Sequence, residues 1–247
     1  MQSSTAKIII DALKKNLIVS LFVVAVSALS FFVGSLWTKV QVYEGLIESG
    51  VGGSNVLPAK AAAEPEVKLD KPTNKDHVRG SSKAQIALIE YSDFSCPYCK
   101  NFHETVKQLL NDYDGKVKWV YRHFPLPTLH PLAIKQSQAS ECANKLGGND
   151  KFWAMADKLY ASETIADDTT MKKFASEIGL DTQKFADCLD NSDTKSIVDA
   201  DIQSATRAGV TGTPGSFLMD LKTGEFVKLG GALPYEQLKA SVDAILE

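Results

Sequence analysis

Residues 86–99 read IALIEYSDFSCPYC. The apolar run Ile86–Tyr91 predicts a short buried strand. Ser92-Asp93-Phe94-Ser95 breaks it, and Cys96-Pro97-Tyr98-Cys99 follows at once. Beyond the second cysteine, Phe102, Val106, Leu109 and Leu110 recur at i, i+4, i+7 and i+8, the stripe of an amphipathic helix. Asp114-Gly115 ends that helix, and Val117–Phe124 reads as a second strand. Strand, helix and strand with a short return make a βαβ unit, with the cysteine pair at its first strand-to-helix turn.

On the C-terminal side, residues 131–208 carry helical patterns throughout. Pro131 suits a helix start, and Gly147-Gly148 a stop after Lys145. Further helices fit Lys151–Ala161, Thr169–Ile178, Thr182–Leu189 and Thr194–Ala208. Ser216–Asp220 and Glu225–Leu229 flank a hairpin signal at Leu221-Lys222-Thr223-Gly224. Pro234–Leu246 is amphipathic. The predicted class is α/β, in the order β-α-β, helical insertion, β-β-α, with the folded domain at 77–247 and the insertion at about 131–208.

On the N-terminal side, residues 17–37 (LIVSLFVVAVSALSFFVGSLW) contain no charge. A helix of that length covers roughly 30 Å, the hydrocarbon thickness of a bilayer. Lys7, Lys14 and Lys15 precede it and only Lys39 follows closely. That bias predicts a single-pass anchor with residues 1–16 in the cytoplasm and the long C-terminal part outside. Trp37 and Tyr43 suit the interface, and no A-x-A site marks a cleaved signal peptide. Residues 38–76, with Pro58, Pro65 and Pro72 and no sustained period, read as an extracytoplasmic tether. Over all 247 residues the chain is 44% hydrophobic with a net charge of −3, which excludes wholesale disorder. No basic stripe is present, so a nucleic-acid partner lacks its electrostatic footprint.

The chemistry resides in Cys96 and Cys99. A helix starting at Pro97 leaves Cys96 at its cap, facing unpaired backbone N–H groups and the positive end of the helix dipole. That setting favours thiolate over thiol. No fixed charge adjoins Cys96 in sequence, so backbone groups and dipole are expected to supply the shift. Cys99, one turn further on, is expected to be the buried resolving thiol beside an exposed nucleophile. A zinc site needs two more ligands, and no second CxxC exists; His103 is the nearest candidate and otherwise a helix-face residue beside the site. Lys100, where a c-type haem needs histidine, removes that reading. No metal or organic cofactor is implied. Cys142 and Cys188, 46 positions apart, read as a structural disulfide or as two buried free thiols. Glu90, six residues before Cys96, is either a solvent-facing strand residue or a buried proton carrier.

With these segments in view, residues 77–247 resemble the DsbA-like thiol:disulfide oxidoreductases of the thioredoxin superfamily. The resemblance is carried by His77-Val78-Arg79-Gly80, by 90–99, by Tyr121-Arg122-His123-Phe124-Pro125-Leu126 and by Gly209-Val210-Thr211-Gly212-Thr213-Pro214. It implies a thioredoxin fold with a helical insertion, a redox-active Cys96–Cys99 pair, and dithiol oxidation outside the cytoplasm. Its implied partners are exported proteins with cysteine thiols and a membrane protein that re-oxidises the pair. It further implies a cis peptide at Thr213-Pro214 facing the cysteines and exposing backbone to an extended substrate. Glu90 is implied to handle protons for Cys99, and some relatives carry a second bridge such as Cys142–Cys188. Gly215 departs from relatives that carry a bulkier residue there. A reductase or isomerase on the same scaffold, and a non-catalytic anchored peptide-binding module, are the alternatives.

Overall fold

Ile86–Ser92 (β2) is buried along its whole length, seven residues without one exposed position. A strand buried on both faces needs neighbours on both edges and layers above and below. Both are present in this computed structural model, which describes residues 67–246. His77–Gly80 (β1), β2, Val117–His123 (β3), Gly215–Asp220 (β4) and Phe226–Lys228 (β5) form a mixed sheet in the order β1-β3-β2-β4-β5. β2 runs parallel to β3 and antiparallel to β4; β1 and β5 close the edges antiparallel to their neighbours. The βαβ unit is therefore present, joined by Pro97–Asp112 (α1). β1 adds an edge strand that the apolar patterning does not mark.

Alternation along β2 divides the core. Ile86 and Leu88 face α1 and the C-terminal helix Tyr235–Leu246 (α7), together with Phe102, Val106, Leu109, Trp119, Leu238 and Val242. Ala87, Ile89 and Tyr91 face the other side, with Val120, Phe217 and Met219, beneath Ala205 and Ala208 from the end of Lys195–Arg207 (α6). Between β3 and α6 lies the insertion: Ala133–Gly147 (α2), Asn149–Ala161 (α3), Asp168–Glu177 (α4) and Thr182–Asp190 (α5). α2 is its central helix, buried from Gln136 to Ala143 through small and polar side chains that let neighbours approach closely. Asp167 and Asp181 cap α4 and α5, accepting backbone N–H bonds from Thr170 and from Gln183 and Lys184. A Cys142–Cys188 disulfide joins α2 to α5.

Two expectations about the N-terminal region meet different outcomes. The span at 17–37, the tail before it and the tether up to residue 66 lie outside the described residues. No helix among the described residues is long and apolar enough to cross a membrane. The last ten residues assigned to the tether are instead held on the domain. Leu69 is buried in the α6 face, and the Lys68 N–H donates to the Arg207 carbonyl at 3.1 Å. Asp70 pairs with Arg207 and Asp76 with buried Arg122, each at 2.7 Å. One apolar side chain and two charge pairs anchor a segment that has no periodicity to reveal it.

Candidate active site

β2 delivers the chain to the site and Asp93 fixes the turn. The Asp93 carboxylate is fully buried and accepts from the Ser95 N–H (2.8 Å), the Leu126 N–H (2.9 Å) and His130 Nδ1 (2.8 Å). Ser95 Oγ in turn donates to Gln136 Oε1 of α2 at 2.7 Å, tying the turn to the insertion. Cys96 is then the N-cap of α1 in an extended conformation, and Pro97 occupies the first turn. No side chain caps this helix, so its first N–H groups remain available to the sulfur. Tyr98 stands 67% exposed beside the cysteines.

Cys96 and Cys99 are unbridged in this structure, the dithiol form. Cys99 is wholly inaccessible, and Cys96 keeps only 5% of its surface. Cys96, expected as an exposed nucleophile, is thus more enclosed than its position suggests, because the Thr213-Pro214 segment lies over it. The Thr213-Pro214 peptide is cis, and the Thr213 carbonyl accepts from Cys96 Sγ at 3.5 Å. The pair titrates asymmetrically. Cys96 is pulled down to about 5, first by a hydrogen bond from the Cys99 thiol, then by the Thr213 side chain and by the Cys99 and Tyr98 backbone N–H groups, against the effect of burial. Burial pushes Cys99 well above the ordinary thiol range. Of the expected sources of the Cys96 shift, helix N–H groups are thus present, and the neighbouring thiol adds the largest share. As a thiol, Cys96 donates to the Thr213 carbonyl; as a thiolate it accepts from these donors instead.

Behind the cysteines lies a buried polar chain. Glu90 is 1% exposed; its Oε1 accepts from Ser92 Oγ at 2.6 Å and its Oε2 from Trp119 Nε1 at 2.9 Å. Burial raises its carboxyl to about 7 despite those two bonds. Ser92 Oγ has one proton, given to Glu90, so it accepts from Tyr160 OH at 2.8 Å. Ser92 Oγ also lies near the Cys99 sulfur and opposes the upward push on that thiol. A carboxyl poised near neutrality, one hydroxyl from a buried thiol, can exchange a proton with it. Trp119, Ser92, Tyr160 and Asp93 are site residues that the sequence did not single out. A serine two positions after a strand acid and four before the cysteine was a faint signal for one of them. Tyr160 comes from α3 and had none.

His103 packs beneath this chain, with its ring centroid 5.0 Å from Trp119 and 4.6 Å from Tyr160, and its Nε2 pairs with Asp157 at 2.8 Å. In front of the cysteines, a cavity of about 150 Å³ is lined by Phe94, Cys96, Pro97, Leu159 and Ile165 among others. Ile165 beside it and Leu129 are exposed apolar side chains, at 59% and 70%.

Comparison with known proteins agrees with this geometry. The family profile described as Thioredoxin matches residues 72–244. Among solved structures, Pseudomonas aeruginosa DsbA2 is similar with a TM-score of 0.59 and 28% identity, covering 71% of this chain and 97% of its own. Wolbachia pipientis alpha-DsbA1 (TM-score 0.61, 22% identity, 70% and 92% covered) shares the fold. So does oxidised BdbD from Bacillus subtilis (0.60, 20%, 68% and 91%). Curated relatives include a Na(+)/H(+) antiporter NhaA 3 from Salinispora tropica, 34% identical over 159 residues. That match takes in 64% of this chain and 24% of the antiporter, so the chain spans about a quarter of the length of such relatives. The profile covers the greater part of the chain, sheet, insertion and cysteine turn together: this chain belongs to the thioredoxin family.

Proposed function

We propose that the protein is a membrane-anchored thiol-disulfide oxidoreductase that introduces or exchanges disulfides in exported polypeptides. The observation that carries the reading is the asymmetric pair at the α1 N-terminus. Cys96 titrates near 5 and Cys99 far above it, with Glu90 held near 7 behind them. In the oxidised enzyme a substrate thiolate attacks Cys96 Sγ. The Cys96–Cys99 bond breaks, its electron pair leaves on Cys99, and Cys99 takes up a proton relayed through Ser92 from Glu90. A second substrate thiolate attacks the substrate sulfur of the mixed disulfide and expels Cys96 as a thiolate. The substrate loses two electrons and the enzyme gains them, ending as a dithiol that a separate disulfide donor must re-oxidise. The Thr213 backbone beside Cys96, just before β4, is the edge against which an extended substrate pairs.

A stabilised thiolate stabilises the reduced enzyme and makes its disulfide more oxidising. The test is equilibration of the Cys96–Cys99 pair with glutathione buffers. This reading predicts a potential towards the about −120 mV of a strong oxidant. A value at or below about −270 mV, that of a thioredoxin-type reductant, would overturn the oxidase assignment. Failure to turn over dithiol substrates at all would leave only a peptide-binding module.

A further inference from the structure

A second cluster of buried, chemically capable side chains takes no part in the redox site. His77 opens β1, His123 closes β3, and Glu141 lies in α2, so sheet and insertion meet at these residues. All three are at least nine-tenths buried. Both imidazole Nε2 atoms converge on one carboxylate oxygen: Glu141 Oε1 lies 2.6 Å from His77 and 3.0 Å from His123. The other oxygen, Glu141 Oε2, is buried with no hydrogen-bond partner. Burying a carboxylate oxygen without a partner is unfavourable, so a second positive or donating group is wanted there. One donor atom from each of the three residues lies within 4.8 Å of the other two.

The donors are held firmly. The His77 ring stacks on Phe152 at 3.5 Å between centroids, and the His123 backbone N–H donates to Asp201 Oδ2 at 2.9 Å. The cluster is also reachable. His77 and Glu141 line a cavity of about 750 Å³ that includes Asp76 and Asp201, and a second of about 480 Å³ with Asn144 and Asn149.

We propose that His77, His123 and Glu141 bind one divalent transition-metal ion of the zinc type, clipping the sheet to the helical insertion. Two imidazoles and a carboxylate suit zinc, and also cobalt, nickel or copper. Calcium and magnesium require six or more oxygen ligands, which this nitrogen-rich trio does not supply. Zinc–ligand bonds of 2.0–2.1 Å place neighbouring donors of a tetrahedron roughly 3.3 Å apart, so the two contacts to Glu141, now 2.6 Å and 3.0 Å, lengthen on binding. Each ring ligates as neutral imidazole through the Nε2 lone pair, its remaining proton on Nδ1. Glu141 supplies a carboxylate oxygen, and the fourth position faces the cavity, open to water.

The test uses the full chain with Cys96 and Cys99 oxidised, so that the active-site thiols cannot ligate. Equilibrium dialysis against Zn²⁺, with elemental analysis, should give one ion per chain, unaffected by excess Ca²⁺. Co²⁺ in its place should give visible d–d bands without a thiolate charge-transfer band. Glu141→Gln and His77→Gln, which keep side chains able to hydrogen-bond, should each weaken binding at least tenfold and abolish the rise in melting temperature that Zn²⁺ produces in the parent chain. Absence of stoichiometric binding by the parent chain would overturn the proposal and leave the cluster a hydrogen-bonded strut. So would unchanged affinity in a folded Glu141→Gln chain.

Discussion

At the scale of single residues, the account rests on three groups whose environments push their proton affinities apart. Cys96 and Cys99 were legible from sequence, since CxxC at a strand-to-helix turn leaves few chemistries open. Glu90 was only half legible. Period-2 alternation reports burial when one face of a strand is wet, and β2 is dry on both, so the pattern could not say whether its acid was buried. The partners that set its behaviour, Trp119 and Tyr160, lie 29 and 70 positions away, beyond any local signal. Glu90→Gln keeps the shape and the Ser92 contact but cannot take a proton. The rate of dithiol oxidation should fall about tenfold or more, and an inflection near pH 7 in the pH–rate profile should vanish. Stability changes as well. The Glu90 carboxyl is raised from 4.5 to about 7 by folding. At this one site the folded chain therefore binds more protons than the unfolded one across that window, and the Glu90 contribution to stability falls as pH rises through it, by about 3 kcal/mol in all. Denaturant unfolding of the Glu90→Gln chain from pH 4 to 8 should show most of this slope removed.

Helices and strands were read from period and punctuation with most boundaries within two residues. β1 and residues 67–76 escaped because four residues cannot display a period and because the latter are fixed by charge pairs and one leucine. Gly215, the departure noted in sequence, opens β4 where a Cβ would stand 2.6 Å from Val210 Cγ1 and 3.1 Å from the Gly212 carbonyl oxygen. A bulkier residue has no room while Val210 packs there. Gly215→Ala should destabilise by about 1–3 kcal/mol through overpacking, read as a lowered melting temperature. The α2–α5 link is the other element-scale feature. Replacing Cys142 and Cys188 together by alanine opens a crosslink of 46 positions and should lower stability by about 2–4 kcal/mol in chemical denaturation, with the redox pair still able to turn over.

At the scale of the whole molecule, the sheet, its two apolar layers and the insertion place the Cys96 sulfur beneath the Thr213-Pro214 segment and Cys99 wholly buried one helical turn further on. The anchor and tether are proposed from charge and hydropathy alone. Protease added outside intact cells or spheroplasts should cut between residues 44 and 66 and release the domain; protection until lysis would reverse the orientation. Cys99→Ser should trap exported clients as mixed disulfides through Cys96, and Cys96→Ser should trap few, because only the first retains the attacking sulfur without its internal escape. Everything in this mechanism depends on Cys96 being a thiolate at neutral pH. The direct measurement is ultraviolet thiolate absorbance of the reduced chain against pH, with Cys99→Ser to assign the titrating group. The account predicts that Cys96 titrates at about 5 while Cys99 remains protonated well past neutrality. A Cys96 titrating at the ordinary thiol value of about 8.5 would contradict it.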